Sequence, residues 1–217
     1  MFEGFSPETV DFLWGIRMNN NREWFTEHKK DYTRYLYEPM KELGKFLYEP
    51  YMDVPGVQVK VSRIYKDARM HPTVPYKESL WICVRRDQTW WAENPCQFFE
   101  ITPEGVSYGM IFWQPKTRAL VEFRNAIAAQ PEQFLELIAS TEAATGVPVT
   151  AAEYKWPKPC ADPRLERFYK WKGSIACTRE EPFGEDTFSP ELAQRAREFI
   201  QKLDPLTEYL MRFGSEV

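Results

Sequence analysis

Residues 96–113 read Cys96-Gln97-Phe98-Phe99-Glu100-Ile101-Thr102-Pro103-Glu104-Gly105-Val106-Ser107-Tyr108-Gly109-Met110-Ile111-Phe112-Trp113, and the turn at their centre decides the fold. Proline at the second position of Thr102-Pro103-Glu104-Gly105 presets the backbone for a tight turn. The runs Cys96 to Ile101 and Val106 to Trp113 are therefore predicted to pair as an antiparallel hairpin. Two further strands are expected upstream. Val57, Val59 and Val61 alternate with Gln58, Lys60 and Ser62, the period of a half-buried strand, and Leu80 to Arg86 is the second.

Helical spacing brackets these strands. Ser6 is placed to cap, Pro7 fits the first helical position, Glu8 complements the dipole and Phe5 staples onto Val10, so a first helix runs to about Met18. Asn19-Asn20-Asn21 ends it and offers a cap to a long second helix carrying Phe25, Tyr32, Tyr35, Leu36, Met40, Leu43, Phe46 and Leu47, which Pro39 should kink. Beyond the hairpin, Leu120, Phe123 and Ile127, then Phe134, Leu135 and Ile138 after Pro131, predict two short helices. Thr145 to Pro163 holds Gly146, Pro148, Pro157, Pro159 and Pro163 and reads as a long surface connection. A helix near Pro163 to Trp171, a strand near Ser174 to Thr178 and a terminal helix from Ser189-Pro190, bent at Pro205, complete the chain. Strands gathered mid-chain between helical runs predict an α+β fold. It would be a single domain over residues 1–217, with a mainly antiparallel sheet of about four to six strands and the N- and C-terminal helices packed mostly on one face.

Composition narrows the function. Of the 217 residues, 43% are hydrophobic and 16% aromatic, enough to drive collapse and exclude global disorder. The net charge of −4, from 28 basic and 32 acidic residues, gives no general pull on polyanions, so neither nucleic acid nor membrane is expected as a partner. Residues 1–12 carry Glu3, Glu8 and Asp11 and no basic n-region, and no apolar run nears the roughly 20 residues a bilayer demands, which predicts a cytoplasmic protein. Cys83, Cys96, Cys160 and Cys177 show no C-x-x-C spacing and are expected as reduced thiols rather than zinc ligands. There is no Walker loop, G-x-G-x-x-G, G-x-S-x-G or H-E-x-x-H, and with only His28 and His71 no multi-histidine site can form. No metal and no cofactor are expected.

The stretch richest in chemistry is Lys60-Val61-Ser62-Arg63-Ile64-Tyr65-Lys66-Asp67-Ala68-Arg69, followed by Pro75-Tyr76-Lys77. If the strand keeps its register, Arg63, Tyr65, Asp67 and Arg69 continue the face begun by the valines, whereas a bulge after Arg63 would turn the later residues out to solvent as an ordinary charged surface. Guanidinium groups there need carboxylates or an anionic ligand, since a buried unpaired charge is costly. Two readings stay open. In the first, a small-molecule binding protein or enzyme holds a small anionic ligand through Arg63, Arg69 and Lys77, with Tyr76 donating a hydrogen bond and Asp67 orienting an arginine or acting as a base. In the second, Arg63 or Arg69 pairs with Asp67 or Glu100 in a structural network. The protein is then a non-catalytic interaction module, exposed aromatics such as Trp90-Trp91 meeting a partner the sequence does not identify. Phe5, Trp24 and Phe25 are expected in the core.

Phe2-Glu3-Gly4-Phe5, Asn19-Asn20-Asn21-Arg22-Glu23-Trp24-Phe25, Arg63-Ile64-Tyr65-Lys66-Asp67-Ala68-Arg69 and Pro75-Tyr76-Lys77 together resemble the DUF2461 family of bacterial and fungal proteins of unknown function. Phe98-Phe99-Glu100-Ile101-Thr102-Pro103, Tyr108-Gly109 and Tyr169-Lys170-Trp171-Lys172 fit it too. The resemblance implies one domain in a cytoplasmic protein and no assigned activity. Where the family pattern has a Phe-Ser pair and then an Asp-Lys pair after the final arginine, this chain has Met70-His71-Pro72-Thr73-Val74, one residue shorter.

Overall fold

The computed structural model describes residues 2–67, 69–71, 73–86 and 91–215. Helix α1 spans Pro7–Met18 with Pro7 in its first turn, and Thr9 Oγ1 accepts the Ser6 N–H at 3.1 Å. Each asparagine of the following triplet has a separate task. Asn19 Nδ2 donates 3.0 Å to the Gly15 carbonyl, Asn21 accepts the Trp24 N–H at 2.9 Å to cap α2 (Arg22–Glu27), and Asn20 reaches across the chain to Tyr76. The long second helix expected from periodicity is instead broken at His28. It resumes as α3 (Lys29–Asp31), widens into a π-helical turn over Tyr32–Tyr37 and continues as α4 (Glu38–Tyr48). Pro39 accounts for the wide turn: it has no N–H for the carbonyl of Tyr35, and the ladder switches to the spacing in which Glu38 N–H meets Thr33.

The strands β1 (Val57–Val61), β2 (Leu80–Arg86), β3 (Pro95–Thr102), β4 (Gly105–Phe112), β5 (Thr150–Glu153) and β6 (Trp171–Pro182) form a six-stranded antiparallel sheet in the order β1-β2-β3-β4-β6-β5. The predicted hairpin is β3–β4, and the α+β class holds. Strand β5 lies inside the stretch read as a surface connection. Thr150-Ala151-Ala152-Glu153 has no apolar alternation, and it pairs along an irregular register at the edge of the sheet. Gly109 lets β4 approach β6: at φ +155° a Cβ there would stand 2.1 Å from the Cys177 carbonyl oxygen. The remaining helices are α5 (Thr117–Ala129), α6 (Pro131–Thr145), α7 (Glu166–Tyr169), α8 (Glu191–Gln201) and α9 (Asp204–Met211), the last two separated just before Pro205.

Contacts divide the chain into two compact units: Met1–Val84 with Phe98–Tyr108 and Glu180–Arg197, and Arg85–Gln97 with Gly109–Arg179 and Glu198–Val217. In the first, Leu80, Ile82, Val84, Phe99, Ile101, Val106 and Tyr108 are buried on the sheet face that helices cover. Phe5 meets Phe99 there with ring centroids 6.0 Å apart, and Gly44 brings α4 onto Val59, Val61 and Ile82. The opposite face keeps Glu100, Thr102, Ser107 and Glu180 in reach of water. The second unit has its own core, in which Phe123 of α5 stacks on Trp171 (5.8 Å between centroids) and touches Phe213 and Phe134. All four cysteines are free thiols. Among the described residues no helix is long and apolar enough to cross a membrane.

Candidate functional site

At Ser62 the ladder turns irregular: the Ser62 N–H still donates 2.8 Å to the Trp81 carbonyl, but the Trp81 N–H bonds the Ser62 hydroxyl at 3.0 Å. The alternation changes phase there. Ser62 and Ile64 are buried, while Arg63, Tyr65 and Asp67 are exposed. The returning chain pairs loosely with this segment through Lys66 N–H to Pro75 (2.8 Å) and Lys77 N–H to Ile64 (2.7 Å).

The five residues singled out by sequence separate into two groups. Asp67 and Arg69 satisfy each other: the carboxylate accepts the Arg69 backbone N–H, Nε (both 3.0 Å) and Nη2 (2.7 Å) in one exposed turn. The guanidinium and that N–H hold the Asp67 carboxyl below its ordinary range. Tyr76 and Lys77 belong to the second group, with the backbone of Arg63. Lys77 Nζ donates 2.9 Å to the Arg63 carbonyl, and burial, followed by Lys60, pushes the ammonium pKa down. Tyr76 is buried and stacks on Phe25 with centroids 4.3 Å apart, and burial raises its hydroxyl pKa. Among the described residues no hydrogen bond or ion pair joins the Asp67–Arg69 turn to Arg63 or Lys77. Glu100 is engaged by Ser79 Oγ at 2.7 Å. Trp90 lies outside the described residues; Trp91 is half-buried, with the Arg85 guanidinium 5.8 Å from its ring.

What the three motifs do build is a mount for α2. Asn20 pairs with the backbone of Tyr76 on both sides, Nδ2 donating to its carbonyl and Oδ1 accepting its N–H, each at 3.0 Å. Phe25, one turn along α2, packs against Tyr76 and Tyr65. Trp24 is thereby turned the other way. It is half-buried rather than a full core residue, its indole lying over Gly15, 5.6 Å from the Phe12 ring and stacked face to face on His28 at 4.0 Å.

Trp24 and His28 form one wall of a cavity of about 390 Å³ whose other lining residues are Glu8, Asp11 and Phe12 of α1, Asp31 of α3 and Tyr35 of the π-turn. Its volume is that of a small-molecule site. His28 is fixed in it by Nδ1, which lies 2.8 Å from the Trp24 carbonyl, an acceptor to which Nδ1–H donates. Among the described residues the lining contains three carboxylates, the rings of Phe12, Trp24 and Tyr35, and no lysine or arginine. Glu8 is held below its ordinary pKa by the Ser6 hydroxyl, its own backbone amide and Arg34. Asp11 and Asp31 have no ion-pair partner among the described residues.

A larger cavity of about 570 Å³ on the open sheet face, lined by Glu100, Thr102, Glu104, Ser107, Glu180 and Glu181 among others, is acidic as well. Three of its four carboxylates are taken by the chain, Glu104 by Arg17, Glu181 by Arg195 and Tyr108, and Glu100 by Ser79, while Glu180 has no ion-pair partner among the described residues. The smaller cavity sets two carboxylates without an ion-pair partner among the described residues, Asp11 and Asp31, beside three aromatic rings. From sequence alone none of these residues is assigned to a site: Trp24 is expected in the core, Glu8 as a complement to the helix dipole and Tyr35 as part of a helical face. The available signal was spacing: Glu8, Asp11 and Phe12 share one helical face, as do Trp24 and His28, and Asp31 and Tyr35.

Compared with known proteins, the chain matches the family described as Conserved hypothetical protein (DUF2461) over residues 8–209. No curated protein matches it.

Proposed function

The chain belongs to the DUF2461 family, and from the cavity that its motif at residues 19–25 helps to build we propose that it binds a small organic cation, an amine or ammonium compound. One observation carries this reading: a cavity walled by Trp24, Phe12 and Tyr35 and ringed by Glu8, Asp11 and Asp31, with no lysine or arginine in its lining among the described residues. Aromatic faces attract cations through their quadrupoles, and carboxylates supply the countercharge. The Arg34 guanidinium already sits 5.1 Å from the Tyr35 ring, so the chain itself uses that ring as a cation acceptor. In this reading Asn20, Phe25, Tyr65 and Tyr76 are the support of α2, and Asp67 with Arg69 is a structural pair, the non-catalytic alternative drawn from the sequence.

The test is calorimetric titration with tetramethylammonium and with spermidine against sodium at matched ionic strength. Both organic cations are expected to bind, Trp24→Leu weakening them by roughly 3–30-fold and Asp31→Asn weakening spermidine most. Binding indistinguishable from sodium rejects the proposal.

A second reading keeps a small anion at Lys77 and Arg63. It is favoured by the Lys77 ammonium, depressed by burial and then by Lys60, whose hydrogen-bond partner among the described residues is a carbonyl, that of Arg63. A sulfate-induced rise in melting temperature that disappears in Lys77→Met would support it, and an unchanged response in that variant would reject it.

A further inference from the structure

The buried face of α5 reads Ala119, Leu120, Phe123, Arg124 and Ile127, so a guanidinium occupies a position where periodicity calls for an apolar side chain. Arg124 is 9% exposed. Its Nη2 donates 2.6 Å to the Trp171 carbonyl, its Nε is buried with no partner, and among the described residues no carboxylate pairs with it. Two other arginines of the same unit, Arg164 and Arg167, differ in that each reaches a glutamate. A guanidinium cannot shed its proton, so a buried one needs countercharge from somewhere.

The surroundings add positive charge. Lys158 Nζ lies 4.6 Å from the centroid of the Tyr154 ring, and Arg124 Cζ lies 5.8 Å from the same centroid. The Tyr169-Lys170-Trp171-Lys172 motif, unused by the cavity described above, frames this pair of cations. The Tyr169 hydroxyl donates 3.2 Å to the Arg124 carbonyl, the Lys170 carbonyl receives the Tyr154 N–H at 2.7 Å, and the Tyr169 carbonyl receives the Lys158 N–H at 3.2 Å. The motif thus holds the Tyr154–Lys158 segment beside α5 and keeps two like charges at one ring, an arrangement that an anion between them relieves.

We propose that Arg124 and Lys158, set around Tyr154, bind a small oxyanion, the phosphate or carboxylate group of a ligand. Oxygen pairs match the arginine fork, and the lysine supplies a second charge from the solvent side. The site is independent of the cation cavity, and neither proposal needs the other.

The experiment is thermal melting of the full chain in inorganic phosphate and in acetate, each compared with chloride at the same ionic strength. At about a hundredfold the dissociation constant, the bound anion is expected to raise the melting temperature by roughly 5–10 °C. A larger rise in phosphate assigns a phosphate group and a larger rise in acetate a carboxylate. The rise should be lost in Arg124→Met and reduced in Lys158→Met, whose side chain is exposed and whose fold should survive if the arginine variant does not fold. Equal melting in all three salts overturns the proposal, as does a rise that Lys158→Met leaves intact.

Discussion

The Thr9 hydroxyl donates 2.6 Å to the carbonyl of Tyr35, the same carbonyl that Pro39, four residues on, has no N–H to meet. A side chain of α1 thus completes the hydrogen bonding of the π-turn at the residue that walls the cavity. The proline explains the wide turn and the threonine explains why it is tolerated, since a buried carbonyl without a donor is costly.

Thr9→Val removes the donor with little change in shape. It is expected to destabilise the protein by about 1–3 kcal/mol and to weaken tetramethylammonium binding, because Tyr35 is no longer tied to α1. Urea unfolding and calorimetry check the two effects, and Thr9→Ser should restore both.

At Gly15 an added Cβ would stand 2.4 Å from the Trp24 ring. Alanine gains about 1 kcal/mol of helix propensity over glycine, but overpacking costs about 1–3 kcal/mol, so Gly15→Ala should lose roughly 1 kcal/mol net and displace the indole. Trp24→Phe takes away the atoms in its path. The double variant is therefore expected to melt above Gly15→Ala alone.

How much of this was legible beforehand varies with the kind of interaction. The β3–β4 hairpin followed from Thr102-Pro103-Glu104-Gly105 because turn chemistry is local. Strand β5 did not, because Thr150-Ala151-Ala152-Glu153 is an edge strand specified by its partner β6 and carries no pattern of its own. A change of phase was legible only as the alternative of a bulge after Arg63; its actual place, just after Val61, depends on the Ser62 hydroxyl meeting an N–H on another strand. Asp67 and Arg69 could be named but not placed, since parity cannot be followed past the end of a ladder. The cavity residues escaped notice because Glu8, Asp11 and Asp31 are ordinary surface carboxylates until α1, α2 and the π-turn converge.

Asn20→Ala deletes both hydrogen bonds to the Tyr76 backbone. At about 1 kcal/mol each the expected loss is roughly 2 kcal/mol, read from chemical denaturation. A loss much smaller than that would mean the Phe25–Tyr76 stack alone holds α2.

Arg69→Met tests the exposed pair. Both partners are open to solvent, with 89% of the Arg69 side chain and 44% of that of Asp67 accessible, so screening leaves little to lose. The variant is expected to melt with the parent and to keep its response to organic cations. A marked fall in melting temperature would show that the turn supports more than itself.

Glu142 gives a pH prediction. Burial alone would raise its carboxyl pKa, but the hydrogen bonds from Arg167 and from the Val149 N–H hold it below the ordinary value. A group depressed in the folded state adds stability above its unfolded pKa, about 4.3 for glutamate, and that contribution disappears as pH falls through the lower folded value. Glu142→Gln is therefore expected to lower stability at neutral pH and to flatten its decline below about pH 4.3. Melting curves across that range measure both.

The Asn20 amide has one further consequence, for the ageing of the protein as a substance. Hydrolysis of an asparagine side chain replaces its nitrogen with oxygen, and aspartate at this position has no donor left for the Tyr76 carbonyl, against which it sets a negative charge. The clamp would become a repulsion without any change in the encoded sequence. Samples kept long enough for that chemistry should lose the mount of α2, and with it the orientation of Trp24, before they lose the sheet.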